Sequence, residues 1–212
     1  MPRMSVDQRR SALVEAAYRV IADHGVEGAT TRRICAHAGM PLASFHYAFE
    51  SRTALLCAVM DTAVPSDIAR MLEAIVPSAV DTGTTGRADM QINMDLQFRA
   101  FYALLKTDPG RMQATISLGI YAHNHPELQK VGKQMYERLY GVAALGLRLG
   151  GERSGITWSE PVEDLGPVVI AATNAITLIY LSTADDVVVE KIIEAAVREM
   201  MSYVVEPAPA AD

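Results

Sequence analysis

The sequence predicts an all-α protein, and three observations carry that reading. Apolar residues recur three and four positions apart through most of the chain, and no stretch keeps the alternation of a half-buried strand. Ala and Leu are abundant, while aromatic residues make up 6% of the chain, a balance that favours helix. Proline falls mostly at segment ends, where it does not interrupt a helical hydrogen-bond ladder. Together these predict about nine or ten helices.

Ser5-Val6-Asp7-Gln8 has the form of a capping box, and Leu13, Ala17, Val20 and Ile21 then mark one face of a first helix. Gly25 suits a left-handed C-terminal cap. Thr30 caps a second helix with Ile34 and Ala38 inward, ended by Gly39. Pro41 opens a short third helix whose buried side is Leu42 and Phe45. Ser51 caps a fourth helix bearing Leu55, Leu56 and Val59. A helix over Asp67–Val76 is expected to stop at Pro77, before a polar loop over Thr82–Gly86.

The stripe Met90, Met94, Phe98, Phe101, Leu105 runs up to a turn at Asp108-Pro109-Gly110. The next helix carries Met112, Ile116, Ile120 and His123. Pro126 starts another with Leu128, Val131, Met135, Leu139 and Val142, which Gly150–Gly155 should break. Leu165–Ala184 is a run of twenty residues without a charge. Its length would cross a membrane, but Pro167, Thr173, Asn174, Thr177, Ser182 and Thr183 make it modestly hydrophobic, as in a buried helix of a soluble protein. The last helix spans Val188–Val205, and the tail 206–212 reads as disordered.

The net charge of −6 is unevenly spread. Residues 1–56 carry seven Arg against five acids, and the remaining chain carries twelve bases against twenty acids. A basic end on an acidic body fits nucleic-acid contact by that end alone and argues against binding a membrane surface. The N-terminus lacks the apolar run of a signal peptide, and two cysteines, Cys35 and Cys57, are too few for a disulfide scaffold. A reducing, cytoplasmic setting is expected.

The stretch Gly25–Leu55 carries the chemistry. Two helices joined by about three residues around a glycine make a helix-turn-helix, over about residues 30–49. Ala43, Ser44, His46 and Tyr47 face outward if Leu42 and Phe45 are buried. Small side chains allow close approach to a major groove, and polar ones read base edges or phosphates. Arg32 and Arg33 open the second helix and Arg52 the fourth, where cations and helix N-terminal N–H groups can hold backbone phosphates.

These residues resemble the TetR family of transcriptional regulators. The resemblance rests on Gly25, Thr30-Thr31, Ile34-Cys35, Ala38-Gly39, Met40, Phe49, Ser51, Arg52 and Leu55, about fifty residues in the expected order. The chain departs from the family pattern at three positions. His46 stands for the usual Tyr of the recognition helix, with Tyr47 beside it, Ala43 for the usual Gly, and Arg52 for the usual Lys. Which of His46 and Tyr47 meets a phosphate is left open. The resemblance implies a DNA-binding set of Thr30, Thr31, Arg32, Arg33, Pro41, Leu42, Ala43, Ser44, His46, Tyr47 and Arg52.

It also implies a three-helix N-terminal helix-turn-helix domain over 5–56 and a C-terminal helical bundle over 60–205, the second for dimerisation and effector binding. One short helix reads few base pairs, so a homodimer on a palindromic double-stranded operator is expected. The apolar helix Pro167–Thr183 should pack on the core and on its partner, so that a charge at Ile176 yields monomers or insoluble protein. Leu128–Leu149, with Gly141, Ala143, Ala144 and Gly146, is a second contributor.

The implied mechanism is repression relieved by a small, largely hydrophobic effector. Met94, Phe98, Phe101, Ile116 and Ile120 would line its cavity, and Tyr121, His123, Asn174 and Tyr180 would orient its polar groups. An activator of the same fold is one rival. A helical ligand-binding protein or enzyme-like domain that has lost DNA binding is another.

No Ser-His-Asp order, phosphate loop or paired carboxylates appear, so neither catalytic residues nor a cofactor are expected. His123-Asn124-His125 with Glu127 suggests a metal, but positions i and i+2 do not share a helix face, and no metal site is expected. The two cysteines read as small buried hydrophobes.

Overall fold

The computed structural model describes residues 4–75 and 83–205. The expected helix stop at Pro77, the start of the loop at Thr82 and the tail 206–212 lie outside them. The chain divides into two compact units, Met1–Asp67 with Asp108–Glu137, and Ile68–Thr107 with Arg138–Asp212.

The first unit contains α1 (Val6–Gly28), α2 (Thr31–His37), α3 (Ala43–Ala48), α4 (Arg52–Ala58), the start of α5 (Val64–Ile75), α7 (Pro109–His123) and the start of α8 (Pro126–Ser154). Caps read from sequence form as expected. The Gln8 N–H donates to Ser5 Oγ at 3.1 Å and the Ser5 N–H to Gln8 Oε1 at 2.9 Å. Gly25 (φ 72°) interrupts α1 and Gly39 (φ 65°) ends the turn after α2, both in the left-handed region that favours glycine.

Two local expectations are corrected here. Pro41 precedes α3 rather than opening it, and Leu42 is its N-terminal flanking residue. Leu42 is 42% exposed, so Phe45 is the residue of this pair that enters the core. Between α4 and α5 the chain makes a π-helical segment, Val59–Ala63, that continues both helices. Pro65 follows it; a proline has no N–H for Asp61, and the wider turn gives its ring room.

The second unit contains α6 (Gly86–Thr107), the rest of α8, α9 (Val162–Thr183) and α10 (Asp186–Ser202). All five residues of the Met90–Leu105 stripe are buried, with Leu139, Leu147, Leu165, Ile176, Ile193 and Val197 completing the core. Asp185 caps α10 by accepting the N–H groups of Val187 and Val188. Gly150 and Gly151 do not break α8, which runs on to Ser154. They are buried contact points instead: a Cβ on Gly150 would lie 3.3 Å from Met90 Cε, and one on Gly151 2.9 Å from Trp158 Nε1. A two-residue antiparallel bridge pairs Thr157 and Trp158 with Val205 and Val204, the one strand pairing among the described residues.

Within the single chain, helix α9 buries only part of its surface. Its buried residues are Leu165, Gly166, Ile176 and Thr177, while Leu178 is 56% and Leu181 37% exposed. Ile176 therefore belongs to the core of its own protomer and is not an outward-facing interface residue. By length and composition α9 is also long and apolar enough to cross a membrane, the one such helix among the described residues.

Candidate nucleic-acid interface

Helices α2 and α3 stand on α1, whose buried face supplies Leu13, Ala17, Val20 and Ile21. Thr30 starts α2, its Oγ1 accepting the Arg33 N–H at 3.3 Å. Ile34 and Cys35 point inward, which turns Arg32 and Arg33 to solvent. Arg33 also donates through Nη1 to Gly28 O at 2.6 Å. The turn Gly39–Leu42 then presents α3, anchored by Phe45 against Phe49 with ring centroids 5.9 Å apart.

What α3 leaves outward is small or polar. Ala43, His46 and Tyr47 are exposed, Tyr47 at 75%, and Ser44 is half-buried. Thr30, Pro41 and Leu42 are exposed and Thr31 half-buried on the same helix-turn-helix. Ten of the eleven residues expected to meet DNA thus lie on or beside this element, with their side chains exposed or half-buried.

The eleventh, Arg52, is corrected. Its guanidinium is turned inward: Nε donates to Ala29 O at 3.0 Å, Nη1 to Tyr121 Oη at 3.1 Å, and Nη2 to Val26 O. A cation placed at the end of α1, where the carbonyls collect negative potential, satisfies acceptors that the helix leaves open.

The sequence reading missed Arg10. Its Nη1 donates to Ala48 O at 2.9 Å, at the C-terminus of α3, and its guanidinium covers the Phe49 ring at 4.3 Å. Only a cation one turn into α1 hinted at this, since the partner is 38 residues away.

A second polar network ties α7 to α1. Arg19 pairs with Asp108 (2.6 Å) and Asp23 (2.8 Å), and Arg111 pairs with Asp108 (2.9 Å) and with the buried Asp67. Tyr18 donates to Asp67 Oδ2 at 3.1 Å. Burial, with the Asp67 charge beside it, pushes the Tyr18 hydroxyl well above its ordinary range. The Arg19 guanidinium holds the Asp108 carboxyl below its ordinary range, with Arg111 adding to the effect. Gly110 lets the two helices meet, because a Cβ there would lie 2.6 Å from Ala22 O.

The effector candidates separate. Met94, Phe98 and Phe101 are buried in the second unit, where Asn174 and Tyr180 are half-buried and Tyr180 meets Tyr102 edge-on at 5.4 Å. Ile116, Ile120, Tyr121 and His123 belong to the first unit. Ile120 is 61% exposed and is corrected as a cavity residue: α7 buries Met112, Ala114, Thr115, Leu118 and Ala122 instead. His123 is also exposed; it edges a shallow surface cleft of about 330 Å³ with Gln129, Lys133 and Tyr136. Tyr121 stacks on His125 with ring centroids 3.8 Å apart. Among the described residues no group of three or more His, Cys, Asp or Glu could hold a metal ion. Cys35 is buried and Cys57 half-buried, and burial pushes both thiols up.

Residues 13–59 match the family model described as bacterial regulatory proteins, tetR family. The likeness to that family covers this N-terminal segment. The HTH-type nicotine-responsive transcriptional repressor HdnoR of Paenarthrobacter nicotinovorans is 31% identical over 134 residues, 63% of this chain and 64% of that protein. The chain therefore matches a little under two thirds of that relative's length. Among solved structures, the multidrug binding protein EbrR complexed with imidazole has a TM-score of 0.62 at 22% identity, covering 96% of this chain and 98% of that one. The reduced form of E. coli NemR has a TM-score of 0.67 at 15% identity, covering 94% of this chain and all (100%) of that one. These structures share the TetR-family fold, an N-terminal helix-turn-helix followed by helices.

Proposed function

We propose that this chain is a TetR-family transcriptional repressor that binds a palindromic DNA operator as a homodimer and leaves it when a small apolar molecule binds its second unit. The observation that carries the reading is the outward face of the helix-turn-helix. It combines a close-approach surface at Ala43, polar readers at Ser44, His46 and Tyr47, and the exposed cations Arg32 and Arg33. A groove of DNA accepts that combination, with phosphates taken by the cations and bases by α3.

Dimerisation is supported by α9 and α8. Leu178, Leu181, Leu145 and Leu149 are exposed apolar residues on these two helices, of the kind that a protein interface covers. The polar residues along α9 favour a protein partner over lipid, and a soluble cytoplasmic regulator follows from that. For the effector, buried Met94, Phe98 and Phe101 favour an apolar body, and half-buried Asn174 and Tyr180 favour one or two polar groups. The nicotine-responsive relative fits a ligand of that class.

A gel shift with the promoter beside the protein's own gene tests the reading. A saturable shift that survives non-specific competitor supports it. Binding no tighter than to random DNA, about 10⁻⁴–10⁻⁶ M at physiological salt, contradicts it.

A further inference from the structure

Arg52 has the sequence position of a phosphate ligand and the geometry of something else. Its planar fork reaches three acceptors at once: Ala29 O at 3.0 Å, Tyr121 Oη at 3.1 Å, and Val26 O. Val26 and Ala29 lie in the short stretch between the Gly25 break and α2, so they set where the helix-turn-helix begins. Tyr121 lies near the C-terminus of α7 and is itself held. His125 stacks on its ring at 3.8 Å, and His125 Nδ1 lies 2.8 Å from Tyr121 O. Arg52 is half-buried and its donors point into the protein, whereas a phosphate ligand must offer them to solvent. A lysine ammonium has one nitrogen and cannot span three acceptors held this far apart.

We propose that Arg52 and Tyr121 form a latch that fixes the turn between α1 and α2 against α7 and so sets the presentation of α3 to DNA. In this assignment both are positioning residues and neither touches phosphate. The inference rests on the DNA-binding reading above and adds a determinant of operator geometry to it. A loosened latch lets each α3 vary in pitch, so the dimer tolerates half-sites at the wrong separation.

The test uses the full chain and a duplex that the wild-type protein itself enriches from a random library, with two derivatives that gain or lose one central base pair. Affinities are measured over a range of salt for wild type, Tyr121→Phe, Arg52→Lys, Arg52→Ala and the double variant Tyr121→Phe/Arg52→Lys. Tyr121→Phe and Arg52→Lys should each reduce the preference for the enriched spacing by about three- to tenfold, the scale of one lost hydrogen bond. The double variant should lose little more, because the two residues share one contact. The salt slope should stay at the wild-type value in all of them.

A merely destabilising substitution would weaken binding to all three duplexes alike and leave the preference intact, which would overturn the latch. So would Arg52→Lys behaving as wild type, or Arg52→Ala lowering the salt slope by about one, either of which returns Arg52 to the phosphates. Tyr121→Phe removes only a hydroxyl and keeps the test valid if Arg52→Ala does not fold. A wild-type protein that enriches no sequence would overturn the DNA-binding reading and the latch with it. Enrichment by wild type with unchanged variants would overturn the latch alone.

Discussion

Helices α3 and α9 both bury few of their residues fully, and what they leave outside has opposite chemistry. Six-residue α3 anchors itself through Phe45 and offers Ala43, His46 and Tyr47. The 22-residue α9 anchors itself through Leu165, Gly166, Ile176 and Thr177 and leaves Leu178 and Leu181 outside. A short helix with a polar outer face loses little by staying solvated until a charged polymer arrives. A long apolar helix gains by being covered, at roughly 25 cal/mol per Å² of apolar surface removed from water. Exposure alone is therefore not a functional signal; the chemistry of the exposed face decides which partner it suits.

The sharpest way to break this comparison is to charge the two sides of α9 separately. Ile176→Asp puts an unpaired carboxylate in the protomer core, a penalty of several kcal/mol, and should unfold the protein. Leu178→Asp, two residues away on the exposed side, should leave circular dichroism helical and convert dimer to monomer in sedimentation. A Leu178→Asp variant that sediments as an intact dimer would remove that side of α9 from the interface.

On α3 the expected effect is smaller. Tyr47 is 75% exposed on α3, so Tyr47→Ala should cost no stability and about 1–3 kcal/mol of binding to the enriched operator, the range for one base or stacking contact. Competition between operator and random duplexes reads this directly, and equal loss on both would make Tyr47 a backbone contact.

How far the sequence foretold these two helices differs for a physical reason. Caps, turn glycines and the order Thr30-Thr31, Ala38-Gly39, Ser51 are local, so α1 to α4 were legible within a residue or two. The partner of Arg10 is 38 residues distant and those of Arg52 are 23, 26 and 69, and nothing local specifies them. The face of α7 was misread at Ile120 because its apolar residues nearly encircle it, and only packing against α1 selects Met112, Thr115 and Leu118. Gly150-Gly151 looked like a break because a glycine pair is ambiguous until Met90 and Trp158 are seen beside it.

Two further substitutions separate surface charges that serve DNA from those that serve the fold. Arg32 is exposed at the start of α2, and Arg32→Ala should lower the salt slope of DNA binding by about one while leaving thermal stability unchanged. A slope unchanged from wild type would take Arg32 off the phosphates. Asp108 instead serves the fold. Arg19 depresses its titration, so its contribution is present above the unfolded value of about 3.9 and is lost as pH falls through the lower folded value. Asp108→Asn should cost on the order of 1 kcal/mol near pH 7. That difference from wild type should vanish in unfolding curves taken below the lowered folded value, where the wild-type carboxyl is protonated too. A difference that persists there would mean packing, and not charge, explains the loss.

The most direct measurement is the stoichiometry and symmetry of the protein on the DNA it selects. Sequences enriched from a random library would be read for symmetry, and the complex sedimented with the enriched duplex. The account predicts an inverted repeat, with the protein bound in even numbers and each half-site protected around the α3 contact. An enriched sequence without two-fold symmetry, bound by a single chain, would contradict it.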